Sequence, residues 1–296
     1  MNMKFICIFA FLRRQPSALA FLALGGASAG VASAQERPYF ITYDHQLEEP
    51  GNLEIGINPL LADQRGGGNF LGGWTELEYG VKAWWTTELY LSAQATRGDS
   101  ALFTGYRWEN RFRPLMREHR VNPVLYIEYE SINGADKSML GVVNHDGEAD
   151  HATRNAEARL EHKREIEAKL ILSSNFRGWN ASFNGIAERH LEAKESWEFG
   201  YAAGLSRPLA LAARPDPCSL CPENFAVGVE LYGGLGTRRQ FGLSDTSHYL
   251  APVVAWNLPS GLSLRLSPGF GLTGTSHRFL LRLGASYEFS RLGGGR

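Results

Sequence analysis

The stretch RFLLRLGASYEF, residues 278–289, decides how the fold is read. Successive side chains of a strand point to opposite faces, so Phe279, Leu281, Leu283, Ala285, Tyr287 and Phe289 share one side. Leu280, Arg282, Gly284, Ser286 and Glu288 share the other. An apolar stripe this long, ending on two aromatics and backed by charges, suits two settings. One is a soluble sandwich; the other is a strand with lipid on one face and a wet interior on the other.

The alternation recurs in eleven further stretches: 52–58, 75–81, 87–95, 105–112, 123–130, 160–172, 179–185, 197–206, 225–234, 248–258 and 262–272. Two of them are ambiguous. NAEARLEHKREIEAKLIL, residues 155–172, is rich in helix formers and spaces Glu161, Glu165 and Lys169 as a helix would. A strand from about 160 is favoured, with a helix over 156–165 as the alternative. HYLAPVVAWNL, 248–258, is apolar on both faces and carries Pro252, so its orientation is unreadable.

Connections alternate in length. KAWW (82–85), NFRG (175–178) and LPSG (258–261) are short, whereas 131–156 and 236–247 are longer and polar. The segments 113–123 and 207–224 break the pattern by being long on the short-turn side. Unpaired amides are costly in hydrocarbon, so spanning strands must close on themselves. The expected fold is all-β: a single closed antiparallel transmembrane β-barrel of about 12 strands, with short periplasmic turns and longer outer loops. Trp74, Trp84, Trp85, Trp108, Trp179, Trp197 and Trp256 are expected at strand ends, as interfacial girdles.

The N-terminal region supports export. Lys4, Arg13 and Arg14 supply positive charge, 18–24 an apolar stretch, and Ala32-Ser33-Ala34 a small-residue cleavage site before Gln35. The expected division is a cleaved signal peptide (1–34), a periplasmic N-terminal segment (35–51), the barrel (52–289) and a C-terminal tail (290–296). A net charge of −1 gives no reason to expect nucleic acid as a partner.

With this parity the lumen wall comprises Glu54, Glu76, Glu78, Glu88, Arg107, Glu109, Arg111, Glu128, Glu130, Glu198, Glu230, Arg265, Arg282 and Glu288. Carboxylates outnumber guanidiniums, which favours cations in a water-filled lumen. A network of Glu–Arg pairs that fills the barrel and only stabilises it is the alternative.

Other motifs carry less. HDGEADH places His145, Asp146, Glu148, Asp150 and His151 close together in an outer loop; their spacing fails the Ca²⁺-loop pattern, and a solvated acidic loop is expected over a metal site. Cys218 and Cys221 form C-x-x-C followed by Pro222, which excludes haem attachment; in an oxidising periplasm a local disulfide is expected. TSH occurs at 246–248 and 275–277. Adjacent strand residues point apart, and His248 and Ser276 are expected to be kept apart by an intervening strand. No catalytic role and no cofactor are expected.

Arg282-x-Gly284-x-x-Tyr287-x-Phe289 resembles the assembly signal of bacterial outer-membrane barrels, although SRLGGGR follows where most members stop. The resemblance implies recognition by the barrel-assembly machinery and residence in outer-membrane lipid of a Gram-negative-type bacterium. The layout over most of 38–289, including EEPGNLEIGIN and ELEYGVKAWWTTELYL, is similar to uncharacterised barrels related to the phenol-degradation MetA-pathway group. The function expected is a passive channel or transporter for small solutes. The alternatives are a non-conducting structural or adhesive barrel with a plugged lumen, and a soluble periplasmic all-β protein.

Overall fold

The computed structural model describes residues 38–63, 69–138, 140–142, 153–192, 196–212 and 218–290. The expected signal peptide, the His145–His151 cluster and residues 291–296 of the tail lie outside these.

Twelve antiparallel strands form one closed sheet in which each pairs with its sequence neighbours and β1 (Leu53–Asp63) closes on β12 (Phe279–Phe289). Between them run β2 (Phe70–Lys82), β3 (Trp85–Thr96), β4 (Ala101–Phe112), β5 (Asn122–Asn133), β6 (His162–Phe176), β7 (Trp179–His190), β8 (Glu198–Pro208), β9 (Phe225–Thr237), β10 (His248–Asn257) and β11 (Leu262–Gly271). Closure leaves no unpaired edge. Among the described residues no helix is long and apolar enough to cross a membrane, a finding that says nothing about strands.

The ambiguous segment 155–172 divides. A single turn of helix, α1 (Asn155–Ala158), precedes β6, so the longer helix gives way to strand pairing from His162 to Asn133 onward. Burial then alternates residue by residue along each strand. In β12, Leu280, Arg282, Gly284 and Ser286 are buried while Phe279, Leu281, Leu283, Ala285 and Tyr287 are not. Every strand adds to an exposed apolar belt, exemplified by Ile57, Leu91, Ile127, Leu170, Phe183, Val254 and Leu266. In β10 the outward set is Leu250, Pro252 and Val254.

Two expectations need correction. Trp74 is not in a girdle. It sits mid-strand in β2, 4% exposed, on the inner face, with its indole N–H donating to Glu76. And residues 38–45 of the segment expected to lie outside the barrel are inside it. Tyr39, Phe40, Ile41, Thr42, Tyr43, Asp44 and His45 are all buried, and Tyr39, Phe40 and Ile41 share one apolar cluster with the inner faces of β1, β2, β9, β10 and β12. A linker of this composition has more to gain inside than in water: its aromatic rings are covered, and its backbone amides find carboxylate and amide acceptors there.

Candidate functional site: the filled lumen

The segment before β1 is an inward loop, here termed the plug. Pro38, Asp44 and Gln46 line one cavity of about 230 Å³ together with Asn175 and Asn180, so both arms of the plug leave at the mouth that carries the termini. Its tip is held at mid-barrel by a single carboxylate. Glu230 in β9 accepts the backbone N–H of Phe40 (3.1 Å), Ile41 (2.8 Å) and Thr42 (2.7 Å). Asn184 in β7 takes both polar groups of Tyr43, accepting its N–H at 2.7 Å and donating to its carbonyl at 2.8 Å. Arg265 donates to the carbonyl of Tyr39 at 3.1 Å. The returning arm docks His45 N–H on Ser173 Oγ (3.0 Å), places His45 Nε2 2.8 Å from Glu118, and sets Glu48 N–H on Thr86 (3.1 Å).

The barrel wall is shaped to receive it. A Cβ on Gly204 would lie 2.7 Å from the Tyr39 ring, and one on Gly284 would lie 3.2 Å from Phe40 and 2.9 Å from Asn58. Both positions therefore need glycine for close approach. Gly284 and Arg282 belong to the terminal-strand motif and point inward, Arg282 donating to the Tyr232 hydroxyl; Tyr287 points out.

From the opposite mouth the connection after β5 also turns inward. Ala135, Lys137 and Ser138 are at most 1% exposed. Arg107 binds Asp136 at 2.9 Å, Glu130 at 2.7 Å and Ser138 at 3.1 Å, while Thr104 donates to Asp136 at 2.7 Å. Leu140 packs on the cluster that contains Phe40 and Ile41. Where plug and loop meet, Phe40, Ile41, Tyr43, Tyr90, Tyr126, Leu140 and Lys169 enclose a cavity of about 10 Å³. That is the volume of about one water-sized probe. Asn155 in α1 ties the outer part of this connection down, accepting from Gln94 (2.6 Å) and donating to the carbonyl of Ser100 (2.7 Å).

The sequence-derived interior residues fall as follows. Glu54, Glu76, Glu78, Glu88, Arg107, Glu109, Arg111, Glu128, Glu130, Glu230, Arg265 and Arg282 are buried; Glu198 and Glu288 are half-buried at the two rims. Arg111 gathers three carboxylates, touching Glu78, Glu88 (3.1 Å) and Glu109 (2.7 Å). The plug joins this group, since the Tyr43 hydroxyl donates to Glu109 at 2.8 Å. Glu165, Glu167, Lys169 and Glu188 face inward too and were missed. Lys169 pairs with Glu167 at 2.7 Å and lies 4.1 Å from the Tyr126 ring centre and 4.8 Å from that of Tyr43.

Titratable groups outside the strands are tuned by the same crowding. Burial, reinforced by Glu78 and Glu288, raises Glu48 to about 8. Burial lowers Lys137, opposed by Asp99. Burial pushes Asp136 upward, but the Arg107 charge and the hydrogen bonds from Thr104, Arg107 and Ser138 outweigh it and leave this carboxyl below its ordinary range.

Cys218 and Cys221 are joined by a disulfide in the connection before β9, ahead of a 3₁₀ turn (Pro222–Asn224). His248 and Ser276 are not kept apart as expected: Ser276 Oγ accepts from the His248 N–H (2.9 Å) and donates to its carbonyl (2.8 Å). The contact runs through the main chain, while the imidazole turns to Thr246 and Tyr201. The pair is a structural clasp, with none of the nucleophile–base geometry a hydrolase needs.

No family model matches the chain, and no curated protein matches it. Solved structures do. The KdgM porin superposes with a TM-score of 0.50 at 8% identity, covering 80% of this chain and 99% of that one. The NanC porin gives 0.50 at 6% identity, over 79% and 98%. An outer membrane channel from Pseudomonas putida F1 gives 0.49 at 11% identity, over 83% and 98%. At such identities the likeness is one of fold alone: this chain is a closed twelve-stranded barrel that superposes on those of the two porins.

Proposed function

We propose that the chain is an outer-membrane conduit for small solutes, closed at rest by its own N-terminal plug. The observation that carries this reading is the mode of attachment. The plug is a loop with both arms at one mouth, fixed at its tip by Glu230 and Asn184, and so is free to leave without breaking any strand pairing. The mouth with the termini is read as periplasmic, the exposed apolar belt as the lipid surface, and Arg282, Gly284, Tyr287 and Phe289 as the signal for the barrel-assembly machinery. The resemblance read from the sequence layout, to uncharacterised barrels related to the phenol-degradation MetA-pathway group, is compatible with a solute conduit, and the acidic inner wall favours cations once the plug is displaced. No catalytic step is assigned.

A permanently plugged barrel is the second reading, favoured by the packing of Leu140 against the plug. Planar-bilayer recording separates the two. The full chain should be mostly closed, and a Glu230→Gln, Asn184→Ala variant should show sustained cation-selective steps. Silence from a correctly folded variant would rule out the conduit and leave the plugged barrel.

A further inference from the structure

Pairing registers followed from strand to strand expose a feature that the plug does not account for. Glu288 stands opposite Glu54, Glu54 opposite Glu78, Glu78 opposite Glu88, and Glu88 opposite Glu109. The row continues through Glu128, Glu167 and Glu188 to Glu198. Nine glutamates thus occupy successive cross-strand positions without a break. Directly opposed side chains on paired strands lie about 4.5–5.5 Å apart, where like charges are destabilising.

The row also climbs. Glu288 is next to last in β12, at the mouth with the termini, and Glu198 is first in β8, at the opposite mouth. Strand tilt and stagger turn a line of direct neighbours into a spiral from rim to rim. Two places thicken it. Glu76, Glu78 and Glu88 bring carboxylate oxygens within 4.8 Å of one another on the side of the termini, and Glu130, Glu165 and Glu188 do so toward the far mouth.

A second observation points to a ligand. Glu88 and Glu167 are each 1% exposed, and each gives one oxygen to a cation, Arg111 and Lys169 respectively. The other oxygen of each, Glu88 Oε1 and Glu167 Oε2, is buried with no hydrogen-bond donor. A buried acceptor left this way calls for a proton, a water or an ion. Arg111 is already shared among three carboxylates, so protein cations do not supply the missing partner.

We propose that the row is a track for divalent metal cations, with a station at Glu76–Glu78–Glu88, where the unpartnered Glu88 oxygen lies. All-carboxylate oxygen sets suit hard ions such as Ca²⁺ and Mn²⁺, which bind oxygens at roughly 2.1–2.6 Å. Closing the Glu76–Glu78–Glu88 set around an ion needs its oxygens to draw in by about 1 Å, within reach of side-chain rotation. The proposal deepens the cation-favouring reading of the lumen. Its test measures binding in the closed barrel, so it fails independently of conduction.

The full chain is refolded in detergent micelles with Mn²⁺ present, and bound metal is counted by electron paramagnetic resonance. Wild type should hold one Mn²⁺ per chain at this station. Glu76→Gln with Glu88→Gln should hold none, whereas Glu165→Gln with Glu188→Gln should retain it. These substitutions keep side-chain volume and relieve like-charge repulsion, and heat-modifiable gel mobility reports folding. A wild-type barrel that takes up no Mn²⁺ overturns the proposal whatever the variants do, and assigns the buried oxygens to protons. A folded Glu76→Gln, Glu88→Gln variant that retains its Mn²⁺ overturns it equally, by placing the metal elsewhere on the chain.

Discussion

Replacing Glu230 by glutamine should loosen the plug without harming the barrel. The carboxylate accepts three backbone N–H groups at 2.7–3.1 Å in a buried site. A hydrogen bond to a charged acceptor contributes about 1.5–3 kcal/mol, and a neutral one about 0.5–1.5 kcal/mol. Glutamine presents an amide NH₂ where one oxygen was, so one bond is lost and the remaining ones weaken. The net cost to docking is about 3 kcal/mol, or roughly a hundredfold in the docked-to-released ratio at about 1.4 kcal/mol per tenfold. Thr42→Cys provides the probe, because Thr42 is 1% exposed and its hydroxyl has no hydrogen-bond partner to lose. The disulfide of Cys218 and Cys221 keeps those sulfurs from competing. Maleimide should label Thr42→Cys roughly a hundred times faster when Glu230→Gln is added. An unchanged labelling rate in a folded, heat-modifiable barrel would refute the idea that this carboxylate holds the plug.

Three other outcomes are expected. Glu48 is raised to about 8 by burial together with Glu78 and Glu288, so the docked arm prefers it neutral. That preference is fully present below about pH 4.5, the group's ordinary value, and is lost as pH rises through about 8. Open time in bilayer recordings should therefore rise across this window and lose that rise in Glu48→Gln. Leu266→Arg, at a 45% exposed outward position in mid-β11, should cost about 2–4 kcal/mol when the barrel refolds into lipid, measured by urea titration in vesicles. A near-zero cost would mean that water, not hydrocarbon, bathes this face. Gly204→Val should exclude the Tyr39 ring, whose nearest atoms lie only 2.7 Å from the point a Cβ would occupy, and should raise Thr42→Cys labelling while leaving gel mobility unchanged.

The strands were legible because lipid-facing and interior residues must alternate, and RFLLRLGASYEF already shows that rule. What hid from the sequence did so for identifiable reasons. Glu165, Glu167 and Lys169 lie in a run whose composition also suits a helix, and only pairing with β5 settles it. Glu188 lies beyond Gly185, where the sequence pattern of β7 stops alternating cleanly, although the strand itself continues to His190. The inner face of β10 was unreadable because Tyr249, Ala251 and Val253 are apolar, and they are apolar because the plug packs in the cluster they help form. Trp74 stood just ahead of the expected 75–81 strand and so was placed in a girdle, but β2 begins at Phe70 and makes it a mid-strand interior residue. The plug itself had a signal: PYFITY, 38–43, is an aromatic-rich run ahead of the first strand with no alternating partner.

The β10 face and the plug share one cause, which bears on how the barrel works. The inner wall is divided. Over β8–β11 it is built largely from small side chains, Ala202, Ser206, Ala226, Ala251, Ala255, Ser263 and Ser267, with Tyr232, Tyr249 and Val253 among them, and it carries the Glu230 and Arg265 contacts to the plug backbone. Over β1–β7 it is lined by the glutamate row and the cations that gather on it. A wall of small residues cannot fill a twelve-stranded barrel, so that half depends on an inserted chain for its packing. An acidic wall cannot be desolvated without partners, so that half needs cations or protons. Thr42 and Tyr43 together bridge the halves, the Thr42 N–H on Glu230 in β9 and the Tyr43 hydroxyl on Glu109 in β4. Withdrawal of the plug would expose the small-residue wall to water at modest cost and would leave Glu109 without the Tyr43 hydroxyl. In the proposed conduit this would couple release to cation entry through two adjacent plug residues. Tyr43→Phe removes only that hydroxyl, so it should lengthen openings while leaving the Glu230 and Asn184 anchors intact; unchanged open times would mean that the two halves act independently.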